Sequence, residues 1–79
     1  MKNLEEYLKT SPEEKKIQLL IGVFKSLEIP DEDIIGMLSM LETEENIDEM
    51  IRFLVHTPEL TKEKIVKALI IVVRKDVVI

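Results

Sequence analysis

The chain has 79 residues, no cysteine and a formal net charge of −5. This length suits one domain, so we expect residues 1–79 to fold as a single unit. The lack of cysteine excludes disulfides, thiolate nucleophiles and cysteine-based zinc sites. Because small secreted domains usually carry disulfides, we expect a cytoplasmic protein. The longest apolar run, 68–73, has six residues, whereas a membrane span needs about 20, so no membrane association is expected.

The first third of the chain carries two helix-start signals. Asn3 followed by Glu6 is typical of a capping box and predicts a short first helix. In the second signal, Ser11 has the position of an N-cap and Pro12 that of the first helical residue. Gly22 falls inside the second helical pattern, where it either weakens the helix or permits a close approach by another backbone.

Further start and stop signals predict three more helices. Pro30 opens the third helix, and the acids at 31–33 suit the positive end of its dipole. Thr43 begins the fourth helix, and Pro58 forces a break after it. Thr61 has the position of a cap for the last helix. Apolar residues recur at helical spacing in each segment. The sequence therefore predicts an all-α fold, a small bundle of four to five helices.

A weak internal repeat relates the two halves of this pattern. A shift of 30 residues brings the apolar positions Ile17, Leu20, Ile21 and Phe24 onto Ile47, Met50, Ile51 and Leu54. A shift of 31 residues relates the third helix to the fifth in the same way. The pattern is typical of two tandem helical hairpins behind a short N-terminal helix. The alternative is that any two amphipathic helices align once they are brought into phase.

The last helix is apolar on every side between residues 68 and 73. A helix that is hydrophobic all round is buried all round, and a chain of this size rarely surrounds one helix completely. Either the helix is central, or another chain covers part of it. We predict a protein interface there, including a homodimer through the C-terminal helix. Its candidate apolar residues are Ile70, Ile71, Val73, Val77 and Val78.

Charge is unevenly distributed along the chain. Residues 26–51 contain nine acids and no Lys or Arg, whereas 52–79 contain six basic and three acidic residues. The acidic block could bind a basic protein, or it could only keep a small apolar protein in solution. Its candidate interface residues are Asp31, Glu32, Glu44, Glu45 and Asp48. Acids repel nucleic acid, and residues 30–41, read as a recognition helix, offer no Arg, Lys, Asn or Gln. We therefore expect no nucleic-acid partner.

No residue pattern supports catalysis or cofactor binding. His56 is the only histidine, and its place at a helix end favours a capping role. The stretch that starts at Asp31 has Gly36 and Glu42 at the sixth and twelfth positions of a calcium loop. However, Ile35 stands where that loop needs a side-chain oxygen. We expect no enzyme activity, no catalytic residue, no cofactor and no metal.

Two functions remain open at this point. The first is a non-enzymatic protein–protein interaction or regulatory module with an apolar helix face and an acidic surface. The alternative is a small carrier or apolar-ligand binding domain whose aliphatic core opens around Phe24, Leu38 and Phe53.

Overall fold

The computed structural model describes residues 3–74, and this part of the chain forms five helices. They are α1 (Leu4–Thr10), α2 (Glu13–Ser26), α3 (Asp31–Leu41), α4 (Glu44–His56) and α5 (Lys62–Arg74). The all-α prediction is confirmed, and the β-branched run 70–73 is helical. No helix in this part of the chain is long and apolar enough to cross a membrane. Val77 and Val78 lie outside the described residues.

The two predicted N-caps, Asn3 and Thr61, are present, and Thr43, the predicted start of the fourth helix, is a third N-cap. The side-chain oxygens of Asn3, Thr43 and Thr61 each accept a hydrogen bond from the backbone N–H three residues later, at 2.8, 3.2 and 3.2 Å respectively. Each bond satisfies one of the N–H groups that have no partner in the first turn of a helix. These caps begin α1, α4 and α5 at the predicted places.

The predicted start of α2 is wrong by one position. Pro12 is the N-cap without a side-chain cap bond, and the helix begins at Glu13. Ser11 instead ends α1, where its N–H donates to the carbonyl oxygen of Tyr7 at 2.9 Å. The proline ring disfavours helical geometry in the preceding residue, and Ser11 is accordingly extended, with ψ at 137°.

The helices form two stacked hairpins, α2–α3 and α4–α5. Besides the contacts within each hairpin, α2 packs on α4 and α3 packs on α5. The α2/α4 pair and the α3/α5 pair therefore form two layers, as the tandem-hairpin pattern predicts. An ion pair between Lys62 Nζ and Asp33 Oδ2, at 3.5 Å, joins the first turns of α5 and α3. These two helices consequently run side by side in the same direction.

The core between the layers is aliphatic apart from one aromatic ring. Phe24 is completely buried, together with Leu20, Leu41, Met50 and Ile65. From α5 the core also takes Ala68, Leu69 and Val72. Because these residues recur every three or four positions, they fix which face of α5 points inward.

Two junctions rely on residues with positive φ. Glu28 has φ 62° and follows α2 in a Schellman-type turn, in which Ile29 N donates to Phe24 O at 3.1 Å. Glu42 has φ 61° and ψ −46° between α3 and α4. Thr43 N donates to Leu41 O across it at 2.7 Å, which defines a γ-turn. Both turns are short, with four residues between α2 and α3 and two between α3 and α4.

Candidate interaction surface

Exposed apolar side chains are concentrated on one layer of the molecule. In the described part of the chain, the large hydrophobic residues that remain exposed are Leu19, Ile35, Met40, Val55, Val66, Ile70 and Ile71. All but Leu19 and Val55 belong to α3 or α5. The α2/α4 layer, by contrast, has α1 held against α4 by an ion pair between Arg52 and Glu5.

An open groove of about 610 Å³ runs between α3 and α5. Its apolar lining consists of Gly36, Met37 and Met40 from α3 and of Val66, Leu69 and Ile70 from α5. Glu32, Asp33 and Lys62 stand at its rim. We call this depression the α3/α5 groove. Its walls are two helices that are anchored in the core, so its shape is set by the packing of the two hairpins.

The outward face of α5 continues from this groove. Glu63, Lys67 and Arg74 are exposed at spacings of four and seven residues, so they mark the side of the helix opposite the core. Ile70 and Ile71 are 44% and 68% exposed, but Ile70 lines the α3/α5 groove whereas Ile71 lines a separate groove between α4 and α5. The outward face of α5 is therefore charged, and one exposed isoleucine lies on each of its flanks.

The predicted apolar interface residues divide into three groups. Ile70 and Ile71 are on the surface. Val73 is half-buried and packs against the core, so its side chain contributes to α5 packing as well. Val77 and Val78 lie beyond residue 74 and outside the described residues. The last helix is thus neither central nor fully covered within residues 3–74.

Two of the predicted acidic interface residues bind a buried lysine. Lys16 Nζ lies 2.8 Å from Glu44 Oε2 and 2.9 Å from Asp48 Oδ1, and Lys16 is only 1% exposed. Burial lowers the pKa of Lys16, but its hydrogen bonds to the two carboxylates outweigh burial and raise the pKa above its ordinary value. Glu44 and Asp48 therefore join α4 to α2 in the opposite layer.

A second ionic cluster fixes α1. Arg52 Nε and Nη2 donate to the two carboxylate oxygens of Glu5, each at 2.8 Å, and Nη1 donates to Glu49 Oε1 at 2.9 Å. The bidentate bond raises the pKa of Arg52 and lowers the pKa of Glu5. Two-point contact of this kind holds a guanidinium in one orientation, so Arg52 sets where α1 lies on α4.

The other three acidic candidates, Asp31, Glu32 and Glu45, are exposed. Glu32 and Ile70 both line the α3/α5 groove, whereas Asp31, in the first turn of α3, lines the groove between α2 and α3. Glu45 lies in the first turn of α4, in the other layer. The structure thus brings one predicted acid and one predicted apolar residue to the same groove.

Sequence analysis missed the groove itself. Of the residues that line it, only Glu32 and Ile70 were candidate interface residues, and Gly36 drew attention only through the calcium-loop pattern. The sequence did contain one indication of the groove. Glu63 and Lys67 are charged and four positions apart, so they mark the exposed side of α5, and Val66 and Ile70 lie next to that side. The contribution of α3 required knowing that α3 and α5 are neighbours.

The acidic side chains of the described residues do not converge on a metal site. Within residues 3–74, no group of three or more His, Asp or Glu side chains is placed to hold a metal ion. The His56 ring nitrogen Nδ1 lies 2.7 Å from the backbone oxygen of Arg52. Since a carbonyl oxygen only accepts, Nδ1–H donates, and the ring closes the end of α4 as its position predicts.

Comparisons of the chain with protein-family models, with curated proteins and with solved structures found no match. A functional interpretation therefore depends on the surface described above.

Proposed function

We propose that this protein is a non-enzymatic interaction module that binds another protein chain through the α3/α5 groove and the outward face of α5. The observation that carries the proposal is the concentration of exposed apolar side chains, chiefly Met40, Val66, Ile70 and Ile71, on one layer. Contiguous exposed apolar surface with a charged rim is typical of protein interaction sites. Within a cytoplasmic setting, which suits a small domain without cysteine, such a module would act as an adaptor or regulatory subunit.

The flexibility of the side chains that line the groove also favours binding of a helix. Val66 and Ile70 are β-branched, so they have little side-chain entropy to lose when a partner covers them. Met40 is unbranched and adapts to the shape of an incoming side chain. A rigid wall on α5 and an adaptable wall on α3 suit the insertion of an amphipathic helix, whose apolar residues would recur at i, i+4 and i+7.

The test is site-specific photo-crosslinking in the native cells. A photoreactive phenylalanine analogue replaces Ile70 in one variant and Gln18, an exposed residue of α2, in the matched control. We expect a discrete adduct from position 70 and none from position 18. Adding Met40→Lys to the first variant should remove the adduct, because the charge would have to be buried at the contact. Equal adducts from both positions, or none from either, would reject the proposal.

A second candidate function is favoured by the size of the same groove. Its volume of about 610 Å³ lies in the range of roughly 300–1,000 Å³ typical of small-molecule sites. A carrier would bind apolar ligands in this groove and not around Phe24, Leu38 and Phe53, where sequence analysis predicted an opening. Phe24 is fully buried, while Leu38 and Phe53 line two different grooves, between α2 and α3 and between α4 and α5.

Binding of the fatty acid dodecanoate tests whether the protein is a carrier of apolar ligands. If the groove holds an acyl chain, the fatty acid raises the melting temperature of the wild-type protein but not that of Gly36→Leu, whose side chain fills the groove. A rise of equal size in both proteins, or no rise in either, would count against a carrier.

A further inference from the structure

We infer that α1 is a detachable arm with an autoinhibitory contact. While α1 is docked, its Glu5 occupies a carboxylate-binding site at Arg52 of α4, and when α1 leaves, an acidic amphipathic helix can take its place. The inference goes beyond the proposed function and does not depend on the α3/α5 groove. It rests on the anchoring of α1, on its junction with α2 and on the surroundings of Arg52.

Little buried surface anchors α1. The helix has seven residues, and Leu8 is the buried one among them. Leu4 and Tyr7 are half-buried and pack against the core. A helix of two turns is not stable alone in water, because helix formation has a costly nucleus. We therefore expect α1 to be helical only while it is docked and to leave as one unit.

The junction between α1 and α2 allows this separation. Only Ser11 and Pro12 lie between the two helices, and both are extended, with ψ at 137° and 153°. The first turn of α2 is closed by its own bonds, since Lys15 N and Lys16 N donate to Pro12 O at 3.1 and 3.3 Å. The loss of α1 would therefore leave α2 intact.

Arg52 binds the arm through a contact that water reaches. Among residues 3–74, the pair of Arg52 and Glu5 is the ion pair that joins α1 to another helix, and the two side chains are 34% and 62% exposed. Arg52 Nε and Nη2 bind Glu5, whereas Nη1 binds Glu49 of α4 itself. When Glu5 leaves, Glu49 would keep the guanidinium in place, with two N–H groups ready for another carboxylate.

The site at Arg52 adjoins an apolar groove. Arg52 also lines the groove of about 320 Å³ between α4 and α5, together with Phe53, Ala68 and Ile71. A helix whose carboxylate replaced that of Glu5 could thus place apolar side chains along this groove. A basic segment would instead bring a like charge to Arg52, which opposes association. The ligand that fits has an Asp or Glu beside apolar residues, as α1 has.

Tyr7 makes the opening of α1 directly measurable. It is the only tyrosine, and the chain has no tryptophan, so intrinsic fluorescence reports on α1 alone. In urea, we expect the Tyr7 transition to precede the loss of helical circular dichroism, because α1 opens before the hairpins unfold. By hydrogen exchange, the α1 amides should exchange at least about 100-fold faster than the buried amides of α4. Coincident transitions or equal exchange would overturn the inference.

The variant Arg52→Gln tests whether this contact holds the arm. It should speed exchange in α1 by about fivefold and leave exchange in α5 unchanged, which also verifies that the protein is folded. The matched control is Lys62→Gln, which removes the ion pair with Asp33 in the other layer and should not change exchange in α1. If Arg52→Gln speeds exchange in all helices equally, or in none, the inference is wrong.

A synthetic peptide of residues 3–12 tests the blocked site. It is added to the full chain carrying Glu5→Lys, whose own α1 is repelled by Arg52, and the Arg52 Nε–H resonance is followed by NMR. We expect this resonance to move toward its wild-type position, and a peptide with Glu5→Gln to leave it unchanged. Wild type should resist the peptide, because its tethered α1 competes at a high effective concentration. No movement at about 5 mM peptide, equal movement with both peptides, or equal binding to wild type would each overturn the inference.

Discussion

The ion cluster around Lys16 predicts that removing its acids and removing its lysine destabilise the fold by different amounts. The lysine is 1% exposed, whereas the side chains of Glu44 and Asp48 are 50% and 21% exposed. Removing the two carboxylate charges with Glu44→Gln and Asp48→Asn leaves an ammonium in the interface between α2 and α4. Removing the lysine charge with Lys16→Met leaves two carboxylates that still reach water. We expect the first change to destabilise the fold more than the second.

The magnitudes follow from burial. A buried charge that loses its partner costs about 3–5 kcal/mol, and the flexible lysine stem can turn partly toward water, so we expect about 2 kcal/mol for the carboxylate double variant. Lys16→Met loses contacts to partly exposed acids, which are worth about 0.2–1 kcal/mol each, and keeps the apolar stem. We therefore expect Lys16→Met to lower the free energy of unfolding by about 1 kcal/mol. A domain of this size has roughly 4–12 kcal/mol in total, so both changes are measurable.

Urea unfolding followed by circular dichroism measures these differences, with the exposed Lys15→Met as the control that should stay within about 0.5 kcal/mol of wild type. The triple variant, which removes all three charges, should recover most of the loss. If Lys16→Met proves as damaging as the carboxylate double variant, the burial of Lys16 is not the controlling quantity.

The pH dependence gives an independent check of the same cluster. The folded-state pKa of Lys16 lies above its ordinary value of 10.5. Its contribution to stability is therefore complete below the unfolded pKa and is lost as the pH rises through the folded pKa. The stability difference between wild type and Lys16→Met should be constant near neutral pH and shrink above about pH 10. A difference that stays constant into that range would contradict the ion-pair explanation.

Three further changes test single features of the fold. Gly22 is exposed inside α2, and an added Cβ would meet no atom within 4 Å, so Gly22→Ala should raise the free energy of unfolding by about 0.5–1 kcal/mol; a loss in urea unfolding would reveal a backbone contact. Glu28 has φ 62°, so Glu28→Gly should stabilise the turn after α2 by about 1 kcal/mol while Glu28→Ala should not. The pKa of Glu5 is lowered by Arg52, so the contribution of this pair is present above the ordinary pKa of 4.5 and lost as the pH falls through the folded value. Arg52→Gln should accordingly differ most from wild type near neutral pH and least in acid, as thermal melts at several pH values would show.

Elements governed by local rules could be predicted from the sequence. The caps at Asn3, Thr43 and Thr61 depend on one side chain and a backbone N–H three residues away; the caps at Asn3 and Thr61 were predicted, and Thr43 was predicted as a helix start. The hairpin arrangement was also indicated by the apolar pattern that recurs after 30 and 31 residues. The start of α2 was misplaced by one residue because Pro12 is itself extended, with ψ at 153°, and has the N-cap position that was predicted for Ser11.

Features that depend on distant contacts could not be predicted in this way. From the sequence alone, Lys16 is expected to be exposed like other charged residues. Its burial could not be predicted because its acceptors lie 28 and 32 residues further along the chain. The positive φ at Glu42 has no signal, because glycine or asparagine is the residue expected there. It is accompanied by Asn46, which is buried and donates from Nδ2 to Leu41 O at 2.7 Å. A polar side chain facing the core was not expected from the apolar spacing of α4.

The distribution of paired charges changes what the acidic middle of the chain implies about a partner. As a run of sequence it suggests one acidic surface for a basic protein. In the fold, Glu44 and Asp48 neutralise Lys16, Glu49 contacts Arg52, and Asp33 contacts Lys62. Among the described residues, Glu32 is the acid that lines the α3/α5 groove without an ion pair, whereas Asp31 lines the groove between α2 and α3, beside Lys25. Net charge therefore overstates how acidic the candidate interface is, and we do not expect its partner to be selected by a basic surface alone.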